Sequence, residues 1–222
     1  MSTEKSVRRG PGRPRSDPAR DLRRDLLATS RLLLDEGGPA ALSLRDVARR
    51  TGCTHQAPYH YFADRESILA VLVAEGFDEL ARGLREANDI RPQRGVRAAL
   101  FASGHAYVDF ALSHPGVFRI MFRPDVCNPA RFPDVQQAGG RARAELERLN
   151  VIVHGDGAQP ELATVLWAHV HGLACLLVDG PLAMQFESAG QRAAFLEGVG
   201  GAFADRILGA VPAGPGDGAA RR

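Results

Sequence analysis

The chain's most suggestive chemistry lies in residues 43–62, SLRDVARRTGCTHQAPYHYF. Gln56 carries an amide that can pair with both hydrogen-bonding atoms of an adenine edge. Tyr59 and Tyr61 carry hydroxyls that can reach phosphates, and Arg65 adds a guanidinium of the matching charge. Their value depends on what holds them. As plain core aromatics of a small helical unit, the two tyrosines would do no chemistry. A second group, Trp167, His171, Cys175 and Val178, falls at i, i+4, i+8 and i+11, one face of a helix. It reads either as the wall of a pocket, with Phe101, His105, Phe118 and Met121 opposite, or as a core tryptophan beside a satisfied buried histidine. Apolar pockets with a few polar groups suit small apolar ligands. His169, two residues from His171, faces another direction. His171 and Cys175 have metal-ligand spacing, but no further ligands join them, so no metal or cofactor is expected.

The elements that position these groups are helical throughout. Leu22, Leu26, Leu27, Leu33 and Leu34 form one apolar stripe, ended by Gly37-Gly38-Pro39. Ser43 is a good N-cap with Asp46 three residues on, and Leu44, Val47 and Ala48 supply the buried side of a short helix. Thr51-Gly52-Cys53 makes a three-residue turn, with Gly52 free to take positive φ. Thr54 is placed to cap a third helix to about Phe62, and Asp64 a longer one to about Asn88. Two short helices joined by such a turn make a helix-turn-helix. Pro58 lacks the N–H of one early intrahelical bond, so a slightly irregular start to the third helix is expected. Cys53 reads as a small core residue.

Further segments follow at Val96–Ser113, Val117–Phe122, Val135–Val153, Pro160–Val178 and Gly190–Leu208. Gly198-Val199-Gly200-Gly201 reads as small residues permitting close helix approach. No segment alternates like a strand. The expectation is an all-α chain of about nine helices: a flexible basic arm over 1–20, the helix-turn-helix unit over 21–66, a helical bundle over 67–210 and a disordered tail over 211–222.

Charge supports this division. The chain of 222 residues carries a net charge of only +2. Residues 1–65 hold thirteen basic against eight acidic groups, a net of +5, which leaves −3 for the rest. A basic head on a mildly acidic body is the footprint of a protein whose head meets a polyanion, or of a solvated tail. Within the arm, Gly10-Pro11-Gly12-Arg13-Pro14-Arg15 resembles the Gly-Arg-Pro core of an AT-hook, which implies insertion into a narrow minor groove; simple phosphate attraction or no role are the other readings. Three scattered cysteines make no disulfide framework. No apolar run approaches a membrane span, and the N-terminal segment lacks the apolar core of a secretory signal, so a cytoplasmic protein is expected. No P-loop, HExxH, CxxC or GxSxG occurs, and no nucleophile–base pair can be argued, so an enzyme is not expected.

Residues 22–75 resemble the DNA-binding domain of the tetracycline-repressor (TetR) family of bacterial regulators. The match runs through Leu44-Arg45-Asp46-Val47-Ala48, Thr51-Gly52-Cys53-Thr54, Tyr59-His60-Tyr61-Phe62 and Asp64-Arg65-Glu66-Ser67-Ile68-Leu69. Further on, Phe110–Pro115 with Phe118–Phe122, and Trp167–Gly172, look like the branch whose C-terminal domain carries a Trp-His-Gly signature. Pro58 departs from the family pattern, which usually has Leu, Ile or Val there. The resemblance implies a homodimer through the last two helices and a recognition helix over Thr54–Tyr61. It also implies a repressor released from an inverted-repeat operator in double-stranded DNA by a small apolar effector. The residues then expected to meet DNA are Arg13 and Arg15 of the arm, Ser43, Thr54, His55, Gln56, Ala57, Tyr59, His60, Tyr61 and Arg65. The alternatives are a sequence-independent architectural DNA binder and, behind it, an enzyme acting on a small molecule in the C-terminal pocket.

Overall fold

The first helix begins where the arm was expected to continue. A computed structural model of the chain describes residues 18–209, and α1 spans Pro18–Gly37. Most of the expected arm, with Arg13 and Arg15, and the tail 211–222 lie outside the described residues. Then follow α2 (Leu44–Thr51), α3 (Arg65–Asn88), α4 (Arg91–Ser113), α5 (Pro115–Met121), α6 (Pro133–His154), α7 (Pro160–Val178) and α8 (Ala189–Gly209). Single 3-10 turns occur at Pro39–Ala41, Ala57–His60, Pro129–Arg131 and Gly155–Gly157. The described residues therefore hold eight α-helices and no strand, an all-α fold. The ninth expected helix, over Thr54–Phe62, is the 3-10 turn Ala57–His60 instead.

Local chemistry explains most boundaries. Ser43 caps α2 by accepting from the Asp46 N–H at 3.1 Å. Gly52 ends that helix in the left-handed region at φ 76°, where an L side chain would be strained. Asp64 and Ser67 form a reciprocal capping box at the start of α3, at 2.7 and 3.1 Å. α4 is interrupted at Gly95, one residue before its expected start.

α3 runs unbroken through the expected boundary at residue 66, packing first on α1 and then on α4 and α6. One core is continuous from Leu26 and Leu34 through Leu69, Leu72 and Tyr107 to Leu177 and Leu196. A smaller cluster of Leu100, Leu149, Leu166 and Ala204 joins α4, α6, α7 and α8. Where α3, α4 and α6 meet, the buried Asn88 amide donates to the Glu145 carboxylate at 3.1 Å and accepts from Ser103 at 2.6 Å. Arg85 closes the carboxylate's other side at 3.0 Å. These bonds meet the demand of buried polar groups for partners and fix the three helices in register. α7 revises one expectation: its 19 residues are long and apolar enough to cross a membrane by length and composition. Ala163, Leu166, Val170, Ala174 and Leu177 on its inner face are buried in the protein.

Candidate nucleic-acid interface and effector cleft

The turn after α2 takes its shape from Pro58. An α-helix would need the residue 58 N–H to donate to the Thr54 carbonyl, and proline has none. The Thr54 carbonyl accepts instead from Ala57 N at 3.0 Å, one residue early, and Tyr59 N donates to the Gln56 carbonyl at 3.1 Å. Those three-residue spacings define the tighter 3-10 turn. The irregularity foreseen for the helix start thus extends through the whole element.

Pro58 and Phe62 are buried and anchor this turn, while His55, Gln56 and His60 are exposed and Tyr59 is 54% exposed. Tyr59 is therefore no core aromatic, whereas Tyr61 is half-buried against the core. Thr54 is exposed and caps nothing; Gln56 holds the cap position without a side-chain bond. Two other expected contacts have employment within the protein. The Ser43 hydroxyl donates to the Asp46 carboxylate at 2.6 Å while accepting from its N–H. That bond, with a second from Arg49, holds the Asp46 carboxyl below its ordinary value. Arg65 Nε donates to the Leu42 carbonyl at 2.8 Å and its Nη2 to the Pro39 carbonyl. It ties the start of α3 to the α1–α2 connection rather than aiming at a ligand. Arg45 and Arg49, not among the expected contacts, are exposed one turn apart on the outer face of α2, Arg49 with Asp46 at 3.1 Å. Their i, i+4 spacing was the available signal.

The six expected pocket residues do not line one cavity. Phe101 and His105 border a narrow cavity of about 60 Å³ lined mainly by α4, α7 and α8, with Leu84 of α3 and Leu146 and Leu149 of α6. There the His169 ring stacks on Phe203 at 3.6 Å. Trp167 lines a larger cleft of about 530 Å³ between α3, α6 and α7. Tyr107 and Leu146 line both. Phe77, Leu80, Ala142, Leu146 and Ala163 are its other apolar walls, and Tyr107 and Phe122 its floor. Phe118 and Met121 are on α5 and buried in the core. His171 lies behind the cleft floor, its ring 4.6 Å from that of Phe122. Periodicity assigned these residues to faces of single helices, and packing decided which helix each face meets.

Behind that floor runs a chain of hydrogen bonds. Trp167 Nε1, which can only donate, meets the Tyr107 hydroxyl at 3.2 Å, and that hydroxyl lies 2.9 Å from His171 Nδ1. Every partner is satisfied when Tyr107 donates to an unprotonated Nδ1. The His171 proton then sits on Nε2, which faces the Cys175 sulfur at 3.6 Å. Burial pushes the Tyr107 phenol well above its ordinary value, so the hydroxyl stays neutral. Among the described residues, no group of three or more His, Cys, Asp or Glu side chains could hold a metal ion.

Burial also holds both His169 and His171 below the ordinary histidine value of 6.5. Between those lowered values and 6.5 the unfolded chain binds more protons than the folded one. Stability is therefore full above pH 6.5 and falls as pH drops through the folded values. Melting temperatures measured from pH 8 to 5 should decline on the acid side, and less steeply in the H169Q/H171Q double variant. A wild-type profile flat to pH 5 would contradict this assignment.

Two short anchored elements presenting polar side chains, on a helical body with its own cleft, define a helix-turn-helix regulator. Comparisons with known proteins agree. Residues 26–72 match the model for bacterial regulatory proteins of the tetR family, and residues 100–198 that for the tetracyclin repressor-like C-terminal domain. The chain belongs to the TetR family of transcriptional regulators.

An HTH-type transcriptional regulator of Mycobacterium tuberculosis is 29% identical over 92 residues, 41% of this chain and 39% of that protein. A Mycobacterium bovis regulator matches equally. The match thus spans about two fifths of these relatives. A Rhodococcus sp. RHA1 protein of unknown function superimposes with TM-score 0.68 at 29% identity, covering 86% of this chain and 95% of that one. The regulator LfrR of Mycobacterium smegmatis, solved with proflavine, gives 0.56 at 18% identity, covering 88% and 99%, a likeness of fold.

Proposed function

We propose that the chain acts as a homodimeric repressor that binds an inverted-repeat operator and leaves it when a small apolar effector enters the α3/α6/α7 cleft. The observation that carries this reading is the reading turn itself: exposed Gln56 and Tyr59 on a backbone anchored by buried Pro58 and Phe62. A rigid turn spends little entropy on docking, so its polar groups can discriminate bases. A dimer is supported by the outer face of α7, where Val165, Ala168, Gly172 and Leu176 are exposed without an intervening charge. On α8, Ala194, Gly198 and Ala202 are exposed small residues at i, i+4 and i+8, whereas Gly200 lies against Phe101 of α4.

Communication runs through α5. At its N-terminus Gly116 N donates to the Asp35 carboxylate of α1 at 2.7 Å. Near its other end Phe122, on the cleft floor, lies 5.9 Å from Trp167. An effector that separates those rings favours a different seat for α5, and thereby for α1 and the reading turn. The mechanism is a population shift, and its size equals the effector's preference for one arrangement.

Selection of bound duplexes from a random pool tests the reading. The expected product is an inverted repeat with half-sites about one turn, roughly 34 Å, apart. Recovery of single half-sites would overturn the dimer. Recovery without sequence preference would favour the architectural alternative.

A further inference from the structure

We propose that the effector of the α3/α6/α7 cleft is a flat, uncharged aromatic molecule of two to three fused rings, seated against Trp167 and Phe122. The inference rests on the effector reading above and narrows it to one chemical class. Size comes first. A cavity of about 150 Å³ suffices for benzene, and this cleft offers about 530 Å³. The walls point to rings: Phe77, Tyr107, Phe122 and Trp167 come from four different segments of the chain and meet at one site. Phe77 and Phe122 are set edge to face at 5.5 Å, and Trp167 is 37% exposed. A flat ring can occupy that uncovered indole surface in the offset or edge-to-face geometries that aromatic pairs favour.

Charge disfavours an ionised ligand. The inner polar groups are already paired: Trp167 with Tyr107, Tyr107 with His171, and the Asn150 amide with the Gln159 carbonyl at 2.9 Å. The donors at the floor are thus committed, and the exposed Gln159 side-chain amide lies among the lining residues at the cleft's outer side. The charges among the lining residues, Arg143 and Glu147, pair with each other at 2.9 Å. Apart from that exposed pair the lining carries no charge, so a charged group that reaches the inner wall loses water there without an ionic partner.

Titration of the full chain tests this at pH 8, following the emission of Trp167, the chain's one tryptophan. The probes are acridine (flat, uncharged), proflavine (flat, cationic) and 1-decanol (uncharged, flexible). Acridine should quench saturably, one per chain, with a Kd at least tenfold below those of the other two. The Ala142→Phe variant, which fills the cleft, should lose acridine binding at least tenfold. Should that variant fail to fold by circular dichroism, Trp167→Leu, followed by acridine's own anisotropy, should show the same direction of loss. Decanol binding as tightly as acridine overturns the aromatic class while leaving an apolar effector in place, and equal proflavine binding overturns the requirement for no charge. Binding of none of the three overturns both the class and the effector reading. Operator selection then still tests the DNA-binding reading by itself.

Discussion

Replacing Gly116 by alanine should destabilise the chain by about 2–3 kcal/mol and uncouple the cleft from the reading turn. A Cβ at this position would lie 2.5 Å from the Leu34 carbonyl carbon and 2.6 Å from Asp35 N. Both are backbone atoms of α1, so no rotamer change relieves the overlap; α5 or α1 must move. Two effects compete. Alanine favours helix over glycine by up to about 1 kcal/mol, but overpacking in a fixed environment costs more. The displacement also lengthens the 2.7 Å bond from Gly116 N to Asp35. For a chain of this size, the net should lower the melting temperature by roughly 5–10 °C. The second readout is the effector's influence on operator affinity, which should shrink even where the effector still binds. An Asp35→Asn control keeps the shape and removes only the charge at the start of α5, so it should cost less. An unchanged melting temperature in Gly116→Ala would show that α5 has room against α1, and the proposed route would fail.

What the sequence revealed follows the reach of the forces involved. The caps at Ser43 and Asp64 and the turn at Gly52 were legible, because each is set by residues within four positions of one another. Pro58 was visible too, yet its effect was underestimated. One missing N–H displaced the hydrogen-bond pattern of a short element that had few other bonds to hold it helical. The binding residues were less legible the further their partners lay along the chain. Arg65 looked like a phosphate contact from its charge, and only the fold brings the Leu42 and Pro39 carbonyls to its guanidinium. Phe101 and Trp167 each belong to an apolar helical face, but α4 turns Phe101 toward α8 while α7 turns Trp167 toward α3 and α6. His169, set aside because it faces away from His171, does face away, and borders the narrow cavity with Phe101 and His105.

The Gln56→Ala variant should lose about 1–3 kcal/mol of operator binding, five- to more than a hundredfold in Kd, while its affinity for random DNA stays near wild type. Gln56 is exposed at the start of the reading turn and its side chain makes no capping bond, so removing it leaves the fold intact. Its whole effect then falls on recognition. Tyr59 is also exposed. Tyr59→Ala should weaken operator binding comparably, and Tyr59→Phe should separate the hydroxyl's part from the ring's. Ser43→Ala behaves differently, because its hydroxyl is the cap of α2. That change should cost about 1 kcal/mol of stability and lower the melting temperature, with affinity following only through the loss of fold. The contrast matters because the reading turn could serve either recognition or general attraction to phosphate. A uniform loss across operator and random DNA in Gln56→Ala would assign it to phosphate. A selective loss requires a base edge within reach of the amide, and the exposed, uncapped amide on a buried Pro58 anchor provides the geometry for that.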